Sequence, residues 1–180
     1  MDMLVKLYEI DPQKTLLQIS GVEKKNDVTI RRAMAYEKEA VVEFVRDTFT
    51  ETWGGWPSEC DVAFSNWPLS CFIATCHVPR DRLRDKTSGR KIVGFACYDA
   101  TCRGFFGPSG VDKSYRRKGI GTCLLLSALC AMQQQGYGYA IIGGPNKQEQ
   151  WDFYSKTVGA TMISGSENGV YQDMLDRSRH

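Results

Sequence analysis

The sequence has no C-x-x-C pair, no run of about 18 apolar residues, and no repeated or low-complexity stretch. The first absence, with an odd count of seven cysteines, argues against a disulfide framework and against a standard zinc site. Cys71, Cys76 and His77 lie close together, but their spacing fits no zinc pattern, so no metal is expected. Several of the cysteines (60, 71, 76, 97, 102, 123 and 130) sit in apolar runs, where a free thiol acts as a small hydrophobe. That usage reads as a reduced, cytoplasmic protein. The lack of a long apolar run argues against a membrane-spanning helix. Met1 to Lys6 has neither a sustained apolar core nor a cleavage signal, so no leader is expected. Charge of one sign is lacking too: 23 Lys and Arg face 21 Asp and Glu, a net charge of +2. Nothing global therefore points to nucleic acid. The local cluster Arg80, Arg82, Arg84, Lys86 and Arg90 is interleaved by Asp81 and Asp85, which reads as a solvated loop.

What is present is an ordinary globular composition, 42% hydrophobic and 24% charged over 180 residues. A chain of this length buries about 70% of its unfolded surface without needing a disulfide or metal. Residues 1–27 are weakly periodic. Asp11 and Pro12 signal a short helix over Gln13 to Ile19, and Gly21 to Asp27 reads as a connector. Val28 to Arg32 reads as a strand, and Val41, Val42, Val45 and Phe49 fall at helical spacing. Residues 50–70 are irregular and hold Trp53, Trp56 and Trp67, either satellite core or the walls of a binding pocket. Strands are expected at Cys71–Thr75, Lys91–Tyr98, Phe105–Val111 and Tyr139–Ile142, and short ones at Ala160–Ile163 and Gly169–Gln172. Ile120 to Met132 is apolar nearly all round, so that helix should be buried. Gln148 to Val158 reads as a further helix, stopped by Gly159. The order gives an α/β domain with a mixed sheet.

One stretch carries chemistry. Arg116-Arg117-Lys118-Gly119-Ile120-Gly121 lies between a strand that ends near Val111 and the buried helix. Helix starts expose free N–H groups and partial positive charge. Glycines at 119 and 121 let an anion approach the backbone, and three cations stand beside it. Together they read as a pyrophosphate site. A dinucleotide fingerprint fails because Leu124 stands where its third glycine belongs. A P-loop over Gly107 to Ser114 falls one residue short and puts Asp112 where a phosphate would lie. A capped helix without a ligand is disfavoured, since cations at a helix N-terminus oppose the dipole.

At these residues the sequence resembles the GNAT (GCN5-related N-acetyltransferase) superfamily. Val111 to Gly121 is similar to the end of the family's fourth strand followed by its [RQ]-x-x-G-x-[GA] turn. Trp151 to Ala160 is similar to the family's F-Y-x-K-x-G stretch. The resemblance covers about residues 28–172. It implies a mostly antiparallel sheet of about six or seven strands, flanked by about four helices and splayed between strands 4 and 5. It divides the chain into an N-terminal extension, 1–27, packed on an acetyltransferase domain, 28–180. It implies acetyl-CoA as donor and an amine as acceptor. Gly110 and Val111 would hold the pantetheine arm. Arg116, Arg117, Lys118, Gly119, Ile120, Gly121 and Thr122 would hold the pyrophosphate. Asn146 either contacts the arm or caps a helix. Tyr154 matches the general acid for the leaving thiolate, with a core aromatic as the alternative. Where some members carry a glutamate, this chain has Phe105, so the base falls to Glu59, Asp61 or an ordered water. Because that glutamate is missing, a non-catalytic acyl-CoA sensor is the competing reading. O-acyl or longer-chain transfer stays open, and the late strands leave room for a homodimer.

Overall fold

Apolar runs in the middle of the chain build the sheet, and two amphipathic stretches and one fully apolar one cover its faces. The computed structural model describes residues 1–49, 55–78, 89–145, 147–167 and 169–171. In chain order the elements are β1 (Met3–Lys6), α1 (Pro12–Asn26), β2 (Val28–Arg32), α2 (Lys38–Thr48), α3 (Trp56–Ser65), β3 (Cys71–His77), β4 (Arg90–Tyr98), β5 (Phe105–Val111), α4 (Ile120–Gln134), β6 (Tyr139–Ile142), α5 (Gln148–Val158) and β7 (Thr161–Met162). One seven-stranded sheet runs β2-β3-β4-β5-β6-β1-β7. Every neighbouring pair is antiparallel except β5 and β6, which are parallel.

Both faces of the sheet are covered, which is why β3 and β4 read as continuous apolar runs rather than alternating ones. On one face α4 packs Ile120, Leu124, Leu125, Leu129 and Met132 against Val93, Tyr98 and Ile142. Each such side chain, buried fully, contributes about 1.5–3 kcal/mol. On the other face Val41 and Val45 of α2 and Cys60 and Ala63 of α3 pack against Ile73, Phe95 and Cys97. Cys71 and Cys76 enter opposite cores, so the two thiols considered as metal ligands do not share a site. No helix among the described residues is long and apolar enough to cross a membrane.

The structure corrects the sequence reading at both ends. Residues 3–6, assigned no strand, form β1, which is hydrogen-bonded to β6 on one side and β7 on the other. The short helix at 13–19 is the first half of α1, which runs through Gly21 to Asn26. Gly21 breaks nothing, because a single glycine costs only about 1 kcal/mol inside a helix that is otherwise well anchored. Asp11 caps its start by accepting from Gln13 N and Lys14 N, and Asp27 in the left-handed region (φ 51°) ends it. α1 then packs on α4 and β2. Residues 56–65, read as irregular, form α3. The second terminal strand does not form: residues 169–171 are a 3-10 turn, and Gln172 lies outside the described residues. The cluster Arg80 to Lys86 lies outside them as well.

Candidate active site

The site opens where two neighbouring strands part. β5 and β6 pair only at Phe105↔Ile141 and Phe106↔Ile142. β5 continues to Val111, so residues 107–111 have no strand on that side among those described. Here lies the splay that the resemblance places between the family's fourth and fifth strands. Asp112 N donates to Val93 O at 2.9 Å, toward β4. Backbone groups of successive strand residues point alternately left and right, so the Val111 N–H and C=O point into the opening. Arg116 Nε donates to that carbonyl at 3.0 Å, while the N–H has no acceptor among the described residues.

Gly110 is fixed from the opposite face. A Cβ there would lie 2.5 Å from Cζ and 2.7 Å from Cε1 of Phe49. That ring cannot simply swing aside, because it is wedged among Phe44, Trp56 and Phe95 at centroid distances of 5.8, 5.5 and 5.7 Å. Gly110→Ala should therefore destabilise the fold by about 1–3 kcal/mol, lowering Tm by roughly 3–10 °C in a thermal melt. An unchanged Tm would show that the ring is loosely held.

The turn itself is made of two left-handed residues. Arg117 has φ 62° and Gly119 φ 82°, and α4 begins at Ile120. The N–H groups of Arg117, Lys118, Gly119, Ile120, Gly121 and Thr122 have no acceptor among the described residues. The first N–H with an acceptor is that of Cys123, bonded to Gly119 O at 3.1 Å. Such a bank of donors at a helix start is a ready anion site. The three cations are not equivalent. Arg116 is engaged with Val111, and Lys118 Nζ lies 4.7 Å over the ring of Tyr115. Arg117 has no partner among the described residues. The Tyr115 hydroxyl, bonded to Cys76 Sγ at 3.2 Å and partly buried, has its pKa pushed up to about 12. Asp112 caps the preceding 3-10 turn. Hydrogen bonds from the Ser114 hydroxyl and N–H, with Lys91 nearby, hold its carboxyl below the usual range.

Tyr154 faces this opening from α5. Trp151, Tyr154 and Val158 form the helix stripe that packs on the α4-side core. Trp151 Nε1 also donates to Pro145 O at 2.6 Å, tying α5 to the loop after β6. The Tyr154 ring packs edge-on against Phe106 and Phe153. Burial pushes its phenol above the ordinary value, and the nearby Ser109 hydroxyl partly offsets that. Ser109 precedes Gly110 in β5, so Tyr154 reaches the strand beside the free Val111 N–H. The sequence reading missed Ser109. A lone polar residue between Gly107-Pro108 and Gly110 was the available signal.

The acceptor side is less concentrated. Glu59, half-buried on α3, accepts from the Thr101 hydroxyl. Asp61 pairs with Lys38 at 3.2 Å in an exposed position. Neither makes a hydrogen bond or ion pair with Tyr154 or Ser109 among the described contacts. Trp56 belongs to the core beneath α2 and α3, whereas Trp67 is 93% exposed. Trp53 and Asn146 lie outside the described residues.

A splayed mixed sheet with a donor-rich turn at the start of its buried helix defines an α/β fold with an anion-binding cleft. The model of the acetyltransferase (GNAT) family matches residues 39–160, and the chain belongs to that family. Among solved structures it is similar to the GCN5-related glucosamine N-acetyltransferase region of a fungal multi-domain GH3 β-N-acetylglucosaminidase. Identity is 16%, over 90% of this chain and 19% of that one, with a TM-score of 0.61. A GCN5-related N-acetyltransferase from Sphaerobacter thermophilus matches at 18% identity, covering 90% of this chain and 47% of that one, TM-score 0.57. A Drosophila protein matches at 11% identity, covering 90% and 46%, TM-score 0.58. The chain thus spans less than half the length of each of these structures, and the likeness is one of fold. No curated protein matches the chain.

Proposed function

We propose that the chain is a cytoplasmic N-acetyltransferase that moves the acetyl group of acetyl-CoA to a primary amine of a small molecule or peptide. The observation that carries this is the line from the unpartnered N–H groups of residues 117–122, past the free Val111 N–H, to Tyr154 beside Ser109. An anion grip alone would suit any phosphate ligand. A half-buried phenol at the far end of the same opening supports acyl transfer. The all-free, mostly buried thiols support the reducing compartment.

Acetyl-CoA supplies an activated thioester. The chain's own residues supply the rest. Residues 117–122 and Arg117 hold the pyrophosphate. The Gly110–Val111 edge holds the arm as an added strand would. The Val111 N–H is the donor available to the oxyanion. Tyr154, kept protonated by burial, gives its proton to the departing thiolate. An alkylamine has a pKa near 10.4 and must lose a proton before it attacks. We assign that proton to Glu59, and Asp61 is the second candidate. Glu59→Gln should lower kcat/KM about tenfold at neutral pH, with recovery at alkaline pH where the amine deprotonates itself. A deficit that persists at every pH would remove Glu59 from that role.

The direct test is release of free CoA thiol from acetyl-CoA across a panel of amines. Thermal stabilisation by CoA without thiol release from any amine would favour the non-catalytic sensor. Absence of both would remove the proposal. The same assay with longer acyl-CoAs and alcohol acceptors decides between acetyl, longer-acyl and O-acyl transfer.

A further inference from the structure

α1 lies outside the stretch that matches the family, residues 39–160, yet its last turn rests on the phosphate turn. Asn26 Nδ2 donates to Val22 O at 2.8 Å, which fixes its own side chain, and to Lys118 O at 3.2 Å. Val22 stands behind Gly119: a Cβ at 119 would lie 3.0 Å from Val22 Cγ2. So the Lys118–Gly119 peptide is held from the α1 side by one hydrogen bond, and Val22 leaves little room there for a side chain.

The geometry of the amide makes this consequential. A trans peptide is planar, and its C=O and N–H point in opposite directions. With Lys118 O turned toward Asn26, the Gly119 N–H is turned away from α1, and it is one of the donors with no acceptor. Glycine at 119 leaves that peptide otherwise free to rotate, since glycine accepts both signs of φ. We propose that Asn26 is a positioning residue for cofactor binding: it sets the Lys118–Gly119 peptide so that the Gly119 N–H faces the bound pyrophosphate. This rests on the acetyl-CoA reading above. It gives residues 1–27 a part in the family's cofactor site although they lie outside the matched stretch. Asn26 touches no reacting atom, so its effect falls on CoA affinity and not on the chemical step.

The test compares two α1 variants of the full chain by calorimetric titration with CoA and by thermal melt. Asn26→Leu keeps the volume and removes the donor. Glu23→Ala cuts a different tether of the same helix, since Glu23 Oε1 accepts Ile30 N at 2.7 Å. The expected result is a three- to fifteenfold weaker Kd for Asn26→Leu, with kcat at saturating acetyl-CoA within twofold of the parent. Glu23→Ala should lower Tm yet leave the Kd within twofold. Equal Kd for Asn26→Leu and the parent overturns the proposal. Equal weakening in both variants also overturns it, because α1 would then act only through general stability. Failure of the parent itself to bind CoA sinks the acetyl-CoA reading, an outcome distinct from either of these.

Discussion

Replacing Tyr154 by Phe should lower kcat by about 10²–10⁴ and leave the Kd for CoA within about twofold. The hydroxyl is removed while the ring, packed against Phe106 and Phe153, keeps its place. The cofactor grip lies on another element, at the start of α4. Binding and chemistry should therefore separate, as stopped-flow thiol release and calorimetry would show. Unchanged turnover removes Tyr154 from the mechanism. The pH profile gives a second check. A general acid works while protonated. Burial raises the Tyr154 pKa above the ordinary tyrosine value of about 10, so its alkaline limb should lie above that value. The nearby Ser109 hydroxyl acts in the lowering direction, by favouring the phenolate. Ser109→Ala should therefore move the limb further up. A downward shift would mean that Ser109 stabilises the neutral phenol.

The second large effect is expected at Gly119. Its φ of 82° is a conformation that a β-branched residue almost never adopts, and strain of this kind costs about 1–3 kcal/mol. The Cβ alone would press on Val22 at 3.0 Å, and valine adds two further carbons. Either the turn changes shape or α1 withdraws, and both misdirect the donors of residues 117–122. Gly119→Val should weaken CoA about a hundredfold, with Gly119→Ala intermediate, as read by calorimetry. Equal affinity in the valine variant would count against the whole site, since no pyrophosphate seated on this turn would tolerate the change.

Much of this was legible in the sequence, and the parts that were share a property. The glycine turn, the apolar α4 and the stripe on α5 are local patterns whose spacing alone sets their geometry. The splay was legible only through the resemblance, because it depends on where pairing stops. β1 was not legible: four residues carry little periodicity, and their partners lie near residues 142 and 162. α1 was cut short because Gly21 looked like a break, whereas Asp27 ends the helix. Tyr154 was singled out by its match to the family's stretch, but its neighbour Ser109 was not. The roles of Arg116, Arg117 and Lys118 separated only once Val111 O and the Tyr115 ring were located. Glu59 and Asp61 were chosen for their residue type, and type does not encode the neighbours Thr101 and Lys38.

The strand between β6 and β7 has a consequence for how the molecule is made. Met3 pairs with Ile142 and with Met162, so β1, the earliest of these strands in sequence order, must wait for nearly all the others. Until then the outer edge of β6 stays unpaired, beside the future cleft, and is a template for wrong partners. Closing so long a loop costs little more entropy than closing a short one, but it comes late and slows folding. The half of the sheet built from β2 to β5 can assemble from neighbouring segments as they emerge. The sheet beyond the cleft is completed only when β1 meets β6 and β7, so that wall of the cleft should be the last part of the fold to form.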